Sequence, residues 1–320
     1  MDRRIATVFG ASGFLGRHLV QRLAAAGYII RAAGRDTESA LFLKPMGDVG
    51  QVVPWPADIT RPDTVAAAVK DADVVVNLVG ILYERGRATF DKIHVEGAAN
   101  VAQAAAKAGA GHLIHMSALG ADAESPAKYA RTKAAGEEAV KATFKKATIL
   151  RPSVVFGPED DFFNRFAGIA KISPVLPVIG AASSKEGGPK FQPVFVGDVA
   201  DAVMAAIDMP KAQGQTFELG GPVVYSFRDI MKLVTAQTGR KRCLVPLPYW
   251  AAEMQACILG LLPTPPLTTD QVQLLKSDNV VGEKSKGFKQ LGLTPVAAEA
   301  ILPTYLMRFR NNAWQGVQNA

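Results

Sequence analysis

Short apolar runs alternate with amphipathic stretches through the first half of the chain, and that alternation predicts its architecture. Ile5-Ala6-Thr7-Val8-Phe9 reads as a strand, and residues 17–26 continue a helical pattern set by Leu15, Leu19 and Leu23. A second strand follows at Tyr28-Ile29-Ile30-Arg31-Ala32-Ala33-Gly34, with further strand-like runs at 52–55, 74–78, 113–116 and 148–150. Helical patterns occupy 62–70, 90–108 and 127–142 between them. Strands and helices in strict alternation predict an α/β fold, a Rossmann-type doubly wound parallel sheet with helices on both faces. Ligands of such sheets lie at the carboxyl ends of the strands.

From residue 151 the alternation breaks down. Proline and glycine become frequent, and Gly187-Gly188-Pro189 reads as a flexible turn or short hairpin. Residues 192–200 read as a short strand running into a helix that ends near 206, with more helices expected at 227–238, 249–262, 269–276 and 295–308. The expected division is a dinucleotide-binding domain over 1–150. Residues 151–320 then form a smaller, mainly helical substrate-side or interaction region, interleaved with the last strands of the sheet.

The loop Gly10-Ala11-Ser12-Gly13-Phe14-Leu15-Gly16 joins the first strand to the first helix. Small residues there let the backbone approach a pyrophosphate, and the helix turns its N–H groups and positive dipole end toward it. Gly10, Ser12, Gly13, Phe14, Leu15 and Gly16 are therefore candidate cofactor contacts; the plain alternative is a tight turn. A carboxylate for the ribose 2′-hydroxyl is expected at the end of the second strand. The chain has Gly34-Arg35 there, with Asp36 one position late. Arg35, helped by Arg17, suits a 2′-phosphate, so the reading favours NADP(H) over NAD(H). The alternative is that both arginines are ordinary solvated charges. Asp58-Ile59, after the third strand, suits an adenine edge and ring, or else a helix cap before Pro62, which Thr60 could supply instead. Asn77-Leu78-Val79-Gly80 closes the fourth strand, where small residues allow the chain to pass close to the cofactor, so Leu78, Val79 and Gly80 are candidate contacts; the plain alternative is a simple strand terminus.

Ser117 follows the fifth strand, and Tyr129 and Lys133 lie four apart on one face of the next helix. Tyrosine is a poor base near its ordinary pKa of about 10, but an adjacent ammonium and a cationic nicotinamide favour its phenolate. Tyr129 could then exchange a proton with a substrate oxygen held by Ser117, while Lys133 grips the nicotinamide ribose. A solvated helix pair without cofactor contact is the plain alternative.

With the glycine loop and Asp58-Ile59, these residues resemble the short-chain dehydrogenase/reductase superfamily over most of the chain. Arg151-Pro152-Ser153-Val154-Val155-Phe156-Gly157-Pro158 and residues 192–200 resemble its extended and atypical branches, which include sugar-nucleotide epimerases. Pro152 joins the cofactor-contacting positions on that resemblance. The chain departs from the epimerase pattern at Met116-Ser117-Ala118-Leu119-Gly120 and at the end of the fourth strand. A narrower resemblance is to the NADPH-binding accessory-subunit family of respiratory complex I, NADH:ubiquinone oxidoreductase. It rests on Asn77-Leu78-Val79-Gly80, on residues 129–137 and 156–164, and on Gln192-Pro193-Val194-Phe195-Val196. It implies a tightly held, structural NADPH, other complex I subunits as partners, and a place beside the membrane and the ubiquinone site. The same branch includes relatives linked to ubiquinone synthesis. An NADP-dependent reductase or epimerase acting on a quinone precursor or other apolar substrate is thus the rival reading.

Composition narrows this little. The 320 residues carry a net charge of +7, which favours acidic neighbours: an anionic membrane, a protein complex or cofactor phosphates. The basic residues are scattered, without a nucleic-acid-binding signature, so no nucleic-acid partner is expected. Cys243 and Cys257 are too far apart for a redox motif and read as reduced, buried residues. His18, His94, His112 and His115 fall singly, so no metal site is expected. No targeting segment is read before the first strand, which suits the cytoplasmic face of a bacterial inner membrane or a processed matrix protein. Residues 249–262, between prolines, carry an apolar stripe through Trp250, Met254, Cys257, Ile258 and Leu261. The segment is too short to span a bilayer, which takes about 20 apolar residues. It suits a membrane interface, a partner subunit or the protein's own core. The polar tail from Asn311 is expected to be mobile unless a partner orders it.

Overall fold

The computed structural model describes residues 4–182, 184 and 186–310; the tail from Asn311 lies outside the described residues. The chain runs β1 (Ile5–Phe9), α1 (Phe14–Ala25), β2 (Ile29–Gly34), β3 (Val52–Pro56), α2 (Pro62–Val69), β4 (Val74–Asn77), α3 (Gly97–Lys107), β5 (His112–Met116), α4 (Lys128–Thr143) and β6 (Thr148–Pro152). It continues through β7 (Val155–Phe156), α5 (Phe163–Ile172), β8 (Val175–Ile179), β9 (Lys190–Phe191), β10 (Val194–Phe195), α6 (Val196–Asp208) and β11 (Thr216–Leu219). The remainder is β12 (Tyr225–Ser226), α7 (Phe227–Thr238), β13 (Cys243–Leu247), α8 (Tyr249–Leu259), α9 (Thr269–Leu274) and α10 (Ala298–Leu306). Two compact units emerge: Met1–Pro152 with Gly197–Leu219 and Glu283–Thr294, and Ser153–Val196 with Gly220–Gly282 and Pro295–Ala320.

The first unit is a seven-stranded sheet in the order β11-β6-β5-β4-β1-β2-β3, and each neighbouring pair is parallel. The doubly wound sheet expected from the alternation is therefore present. All four residues of β4 are buried, as befits a strand covered on both faces. One layer of core sets Val65 and Ala68 of α2 and Ala98, Val101 and Ala105 of α3 against Val75, Leu113 and Ile149 of the sheet. The strand order reverses between β1 and β4, and a ligand crevice opens at such a switch point.

Two stretches of this unit differ from expectation. Residues Glu38–Met46 form a 3₁₀ helix whose buried residues, Ala40 and Leu43, are three apart, a spacing that no 3.6-residue pattern reveals. The expected helix over 90–108 starts instead as a π-helical turn, Asp91–Glu96, before becoming α3. There Gly97 is required, because a Cβ would stand 2.5 Å from Ile59 Cδ1.

The second unit is built around aromatic rings. Phe156, Phe163, Phe191 and Phe227 are buried in its core with Ile230, Val234, Leu302 and Tyr305. Its strands pair in twos: β7 with β10, β9 with β12, and β8 with β13. The β8 and β13 strands are absent from the sequence reading because Pro177 and Pro246 look like breakers. In a two-stranded sheet every strand is an edge, where proline is tolerated. Gly187 and Gly188 hold φ of +96° and +98° before β9, where L side chains would be strained.

One expectation is corrected here: both cysteines are free but exposed, not buried. Of the alternatives open for the 249–262 stripe, the structure does not take the protein's own core: Ala252 and Ala256 face inward, while Trp250 is 67%, Met254 58% and Ile258 67% exposed. Two small residues one turn apart satisfy the core contact, so Cys257 and the large side chains fall outside. Among the described residues no helix is long and apolar enough to cross a membrane.

Candidate nucleotide and acid–base site

The glycine loop spans the switch point. Gly10 has φ +82°, its N–H donates to Ala33 O on β2 (3.1 Å), and Leu78 N–H donates to Phe9 O (3.0 Å). A Cβ on Gly10 would meet Leu78 C and Val79 Cγ2, both at 3.4 Å, so the loops after β1 and β4 run side by side. At Gly16 a Cβ would stand 2.3 Å from Gly10 O and 2.4 Å from Ala11 O. Only glycine lets α1 start this close to the loop. The N-cap of α1 is Gly13, with no side-chain cap and no acidic residue in the first turn. Its N-terminal donors and dipole are thus left for an anion.

Past β2, Arg35 is exposed. Asp36 is committed locally: its Oδ1 accepts the N–H groups of Glu38 (3.0 Å) and Ser39 (3.4 Å). The Arg17 guanidinium lies over the Phe42 ring, 5.0 Å from its centroid. After β3, Asp58 Oδ1 accepts both the N–H and the hydroxyl of Thr60 (2.9 and 2.8 Å), so Asp58 orders this turn. The Ile59 side chain is buried in the core against Gly97.

A cluster beyond β4, β5 and β6 is held by hydrogen bonds between strand ends. Asn77 Oδ1 accepts Val79 N–H (3.1 Å), and its Nδ2 donates to His115 Nδ1 (3.3 Å). Lys133 Nζ donates to Met116 O (3.3 Å), the residue before Ser117. The Tyr129 ring centroid is 5.9 Å from Nζ, and a Cβ on Gly80 would meet Nζ at 3.1 Å. Gly80 therefore sets no side chain against the ammonium, which is itself buried. Pro152, at the end of β6, accepts Leu119 N–H at 2.9 Å, closing the loop that carries Ser117. Ser117 Oγ is buried and has no hydrogen-bond partner.

Two histidines complete the cluster, and the sequence reading had set both aside as isolated. His94 is buried between Phe90 and Tyr129, with ring centroids 5.2 and 5.3 Å away. The signal was available: His94 interrupts the apolar stripe of Phe90, Ile93, Ala98 and Val101. Burial first, then the Lys133 charge, push both His94 and His115 down to about 3. Both imidazoles are therefore neutral at neutral pH. Burial lowers Lys133 to about 8, against the pull of Glu137 one turn on. Glu137 itself is 1% exposed and accepts two bonds from Arg151 (2.7 and 2.8 Å), which clamps α4 to β6.

A dinucleotide fits this arrangement on three counts: the uncapped α1 terminus, the glycines that admit no side chain, and the orphaned Ser117 hydroxyl. Taken together, the switch-point loop and the Ser-Tyr-Lys set define a Rossmann-type protein of the short-chain dehydrogenase/reductase class. Residues 6–220 match the profile of the NAD dependent epimerase/dehydratase family, and the chain belongs to that family. It is 36% identical over 318 residues to the Arabidopsis thaliana protein NADH dehydrogenase (ubiquinone) 1 alpha subcomplex subunit 9, mitochondrial, across 96% of this chain and 78% of that one. It is 31% identical over 246 residues to the ceramide reductase of Caulobacter vibrioides, across 77% of this chain and 74% of that one. Among solved structures it resembles a Citrobacter sp. triphenylmethane reductase, with a TM-score of 0.75 and 20% identity, across 95% of this chain and 99% of that chain.

Proposed function

We propose that this protein is an NADPH-binding accessory subunit of respiratory complex I in which the nucleotide is structural. The observation that carries this is the 36% identity to the Arabidopsis complex I subunit, maintained over 96% of the chain. NADPH is favoured over NADH by the missing carboxylate after β2, by the exposed Arg35, and by the commitment of Asp36 Oδ1 to main-chain N–H groups. The glycine loop and the first turn of α1 hold the pyrophosphate, Asp58 and the main chain of Ile59 the adenine edge, since the Ile59 side chain is in the core, and Arg35 with Arg17 the 2′-phosphate. Leu78, Val79, Gly80, Tyr129, Lys133 and Pro152 line the nicotinamide side. The region from residue 151 on supplies the interaction surface, and the outward stripe of α8 supports a peripheral place against the membrane, near the quinone site.

Affinity purification from native membranes under mild detergent tests this reading. NADPH and other complex I subunits are expected to co-purify; elution as a lone species without nucleotide refutes it.

A reductase reading is favoured by one observation, the unpartnered Ser117 hydroxyl, which directly follows Met116, the residue whose carbonyl takes the Lys133 ammonium. The similarity to a ceramide reductase supports an apolar carbonyl substrate. Bound NADPH would supply the hydride. Ser117 would hold the carbonyl oxygen, Tyr129 would deliver the proton, and Lys133 would favour its release. Single-turnover absorbance at the reduced-nicotinamide band, with candidate quinones and ceramide-like ketones, decides it. No oxidation, together with unchanged respiration in Tyr129→Phe cells, rejects turnover.

A further inference from the structure

We propose that His94 is a positioning residue for the nicotinamide end of the site, tying the loop after β4 to the α4 turn that carries Tyr129 and Lys133. This rests on the nucleotide reading above. His94 sits in the π-helical turn Asp91–Glu96, a rare local geometry that commonly marks functional positions. Its Nε2 accepts Ile81 N–H at 3.1 Å. Because a main-chain N–H can only donate, Nε2 is the bare nitrogen and Nδ1 carries the proton, an assignment made from the hydrogen-bond network. Nδ1 then donates to Thr132 Oγ1 at 3.1 Å. The hydroxyl of Thr132 has the carbonyls of Lys128 and Tyr129 within reach, each at 3.0 Å. One directed chain therefore runs from Ile81 through the imidazole into the first turn of α4.

The ring also braces its neighbours by contact. Phe90 stacks on it at an interplanar angle of 24°, and the Tyr129 ring stands at 90° to it. Gly80 lies where a Cβ would be 3.1 Å from Lys133 Nζ and 3.7 Å from His94 Nε2. Losing the Ile81 link would free this loop beside the ammonium that faces the ribose. Neutrality is part of the device, since a proton on Nε2 would confront the Ile81 N–H.

The test uses the full chain and two ligands, NADPH and adenosine 2′,5′-bisphosphate, which lacks the nicotinamide half. His94→Phe keeps the ring contacts and removes both hydrogen bonds. It is expected to weaken NADPH binding about tenfold while leaving the bisphosphate unchanged. His94→Gln, with donor and acceptor on one amide, is expected to recover part of the loss. Thr132→Val cuts only the α4 end of the chain; it should show the same ligand contrast and add little to His94→Phe in the double variant. It carries the test alone if His94→Phe does not fold. Equal loss of both ligands, or no loss of either, overturns the positioning role. If the unaltered chain binds neither ligand, the nucleotide reading falls first and this role with it.

Discussion

Helix α1 of the first unit and helices α7 and α9 of the second end their N-termini in opposite ways. At α7, Ser226 accepts the Asp229 N–H and Asp229 supplies a first-turn carboxylate; at α9, Thr268 and Gln271 form a reciprocal capping box. At α1 there is neither cap nor acid. The same contrast extends inward. The first unit holds the buried Lys133, His94, His115 and Glu137, whereas the second packs phenylalanines and uses buried Asp160 to take the Tyr305 hydroxyl and two main-chain N–H groups. Helix α8 of the second unit also starts without cap or first-turn acid, so what sets the first unit apart is that its open α1 terminus adjoins the glycine loop and that it holds an unpartnered serine hydroxyl.

The largest test of that contrast is Glu137→Gln. Removing one partner of a buried ion pair leaves Arg151 with only the longer Glu218 contact at 3.6 Å, and a cost of about 3 kcal/mol is expected in chemical unfolding. Gly16→Ala should cost about 1–3 kcal/mol, because its Cβ meets main-chain oxygens that cannot step aside, and it should abolish nucleotide binding measured by titration. Retained binding would break the equation of the open α1 terminus with the phosphate site.

Titration sharpens the comparison, because all four histidines lie in the first unit. The pKa values of His94 and His115 are about 3 in the folded state, against an ordinary 6.5. The unfolded state therefore takes up protons first, and their contribution, intact above pH 6.5, is lost progressively as pH falls toward 3. Unfolding free energy measured against pH should fall with a slope approaching two protons. Lys133 acts in the same direction in a higher window: its proton leaves at about 8 when folded, against an ordinary 10.5, so stability again gains as pH rises through that window. NADPH affinity should nevertheless weaken above about pH 8, as the ammonium is lost; a flat profile would remove Lys133 from the ribose.

Smaller effects belong to the second unit. Ser226→Ala should cost about 1 kcal/mol of stability without changing nucleotide affinity. Ile258→Gln, on the outer face of α8, should change stability by no more than about 0.5 kcal/mol. If it also leaves co-purification with complex I subunits intact, the stripe is not the interaction surface.

Legibility in the sequence followed regularity. β1, α1 and β4 could be read because a buried parallel sheet demands continuous apolar runs and the glycine loop has one geometric solution. Helix α7 was read at its full extent, Phe227–Thr238, because Ser226 and Gly239 mark its ends. The strands β8 and β13 stayed hidden because they pair with each other across 68 residues, a relation that local patterning does not carry. The outward turn of α8 was hidden for a related reason: an apolar stripe shows that a face exists, and packing decides which face goes inside.

The sequence by itself determined the sheet, the glycine loop, the lack of a carboxylate after β2 and the Ser117, Tyr129 and Lys133 set, since each depends on local spacing or residue type. Tertiary structure alone decided that Ser117 is left unpartnered and that His94 links Ile81 to Thr132. Those facts arise where segments distant in sequence meet in a buried, low-dielectric place, and there each polar group must be matched by a partner or left for a ligand.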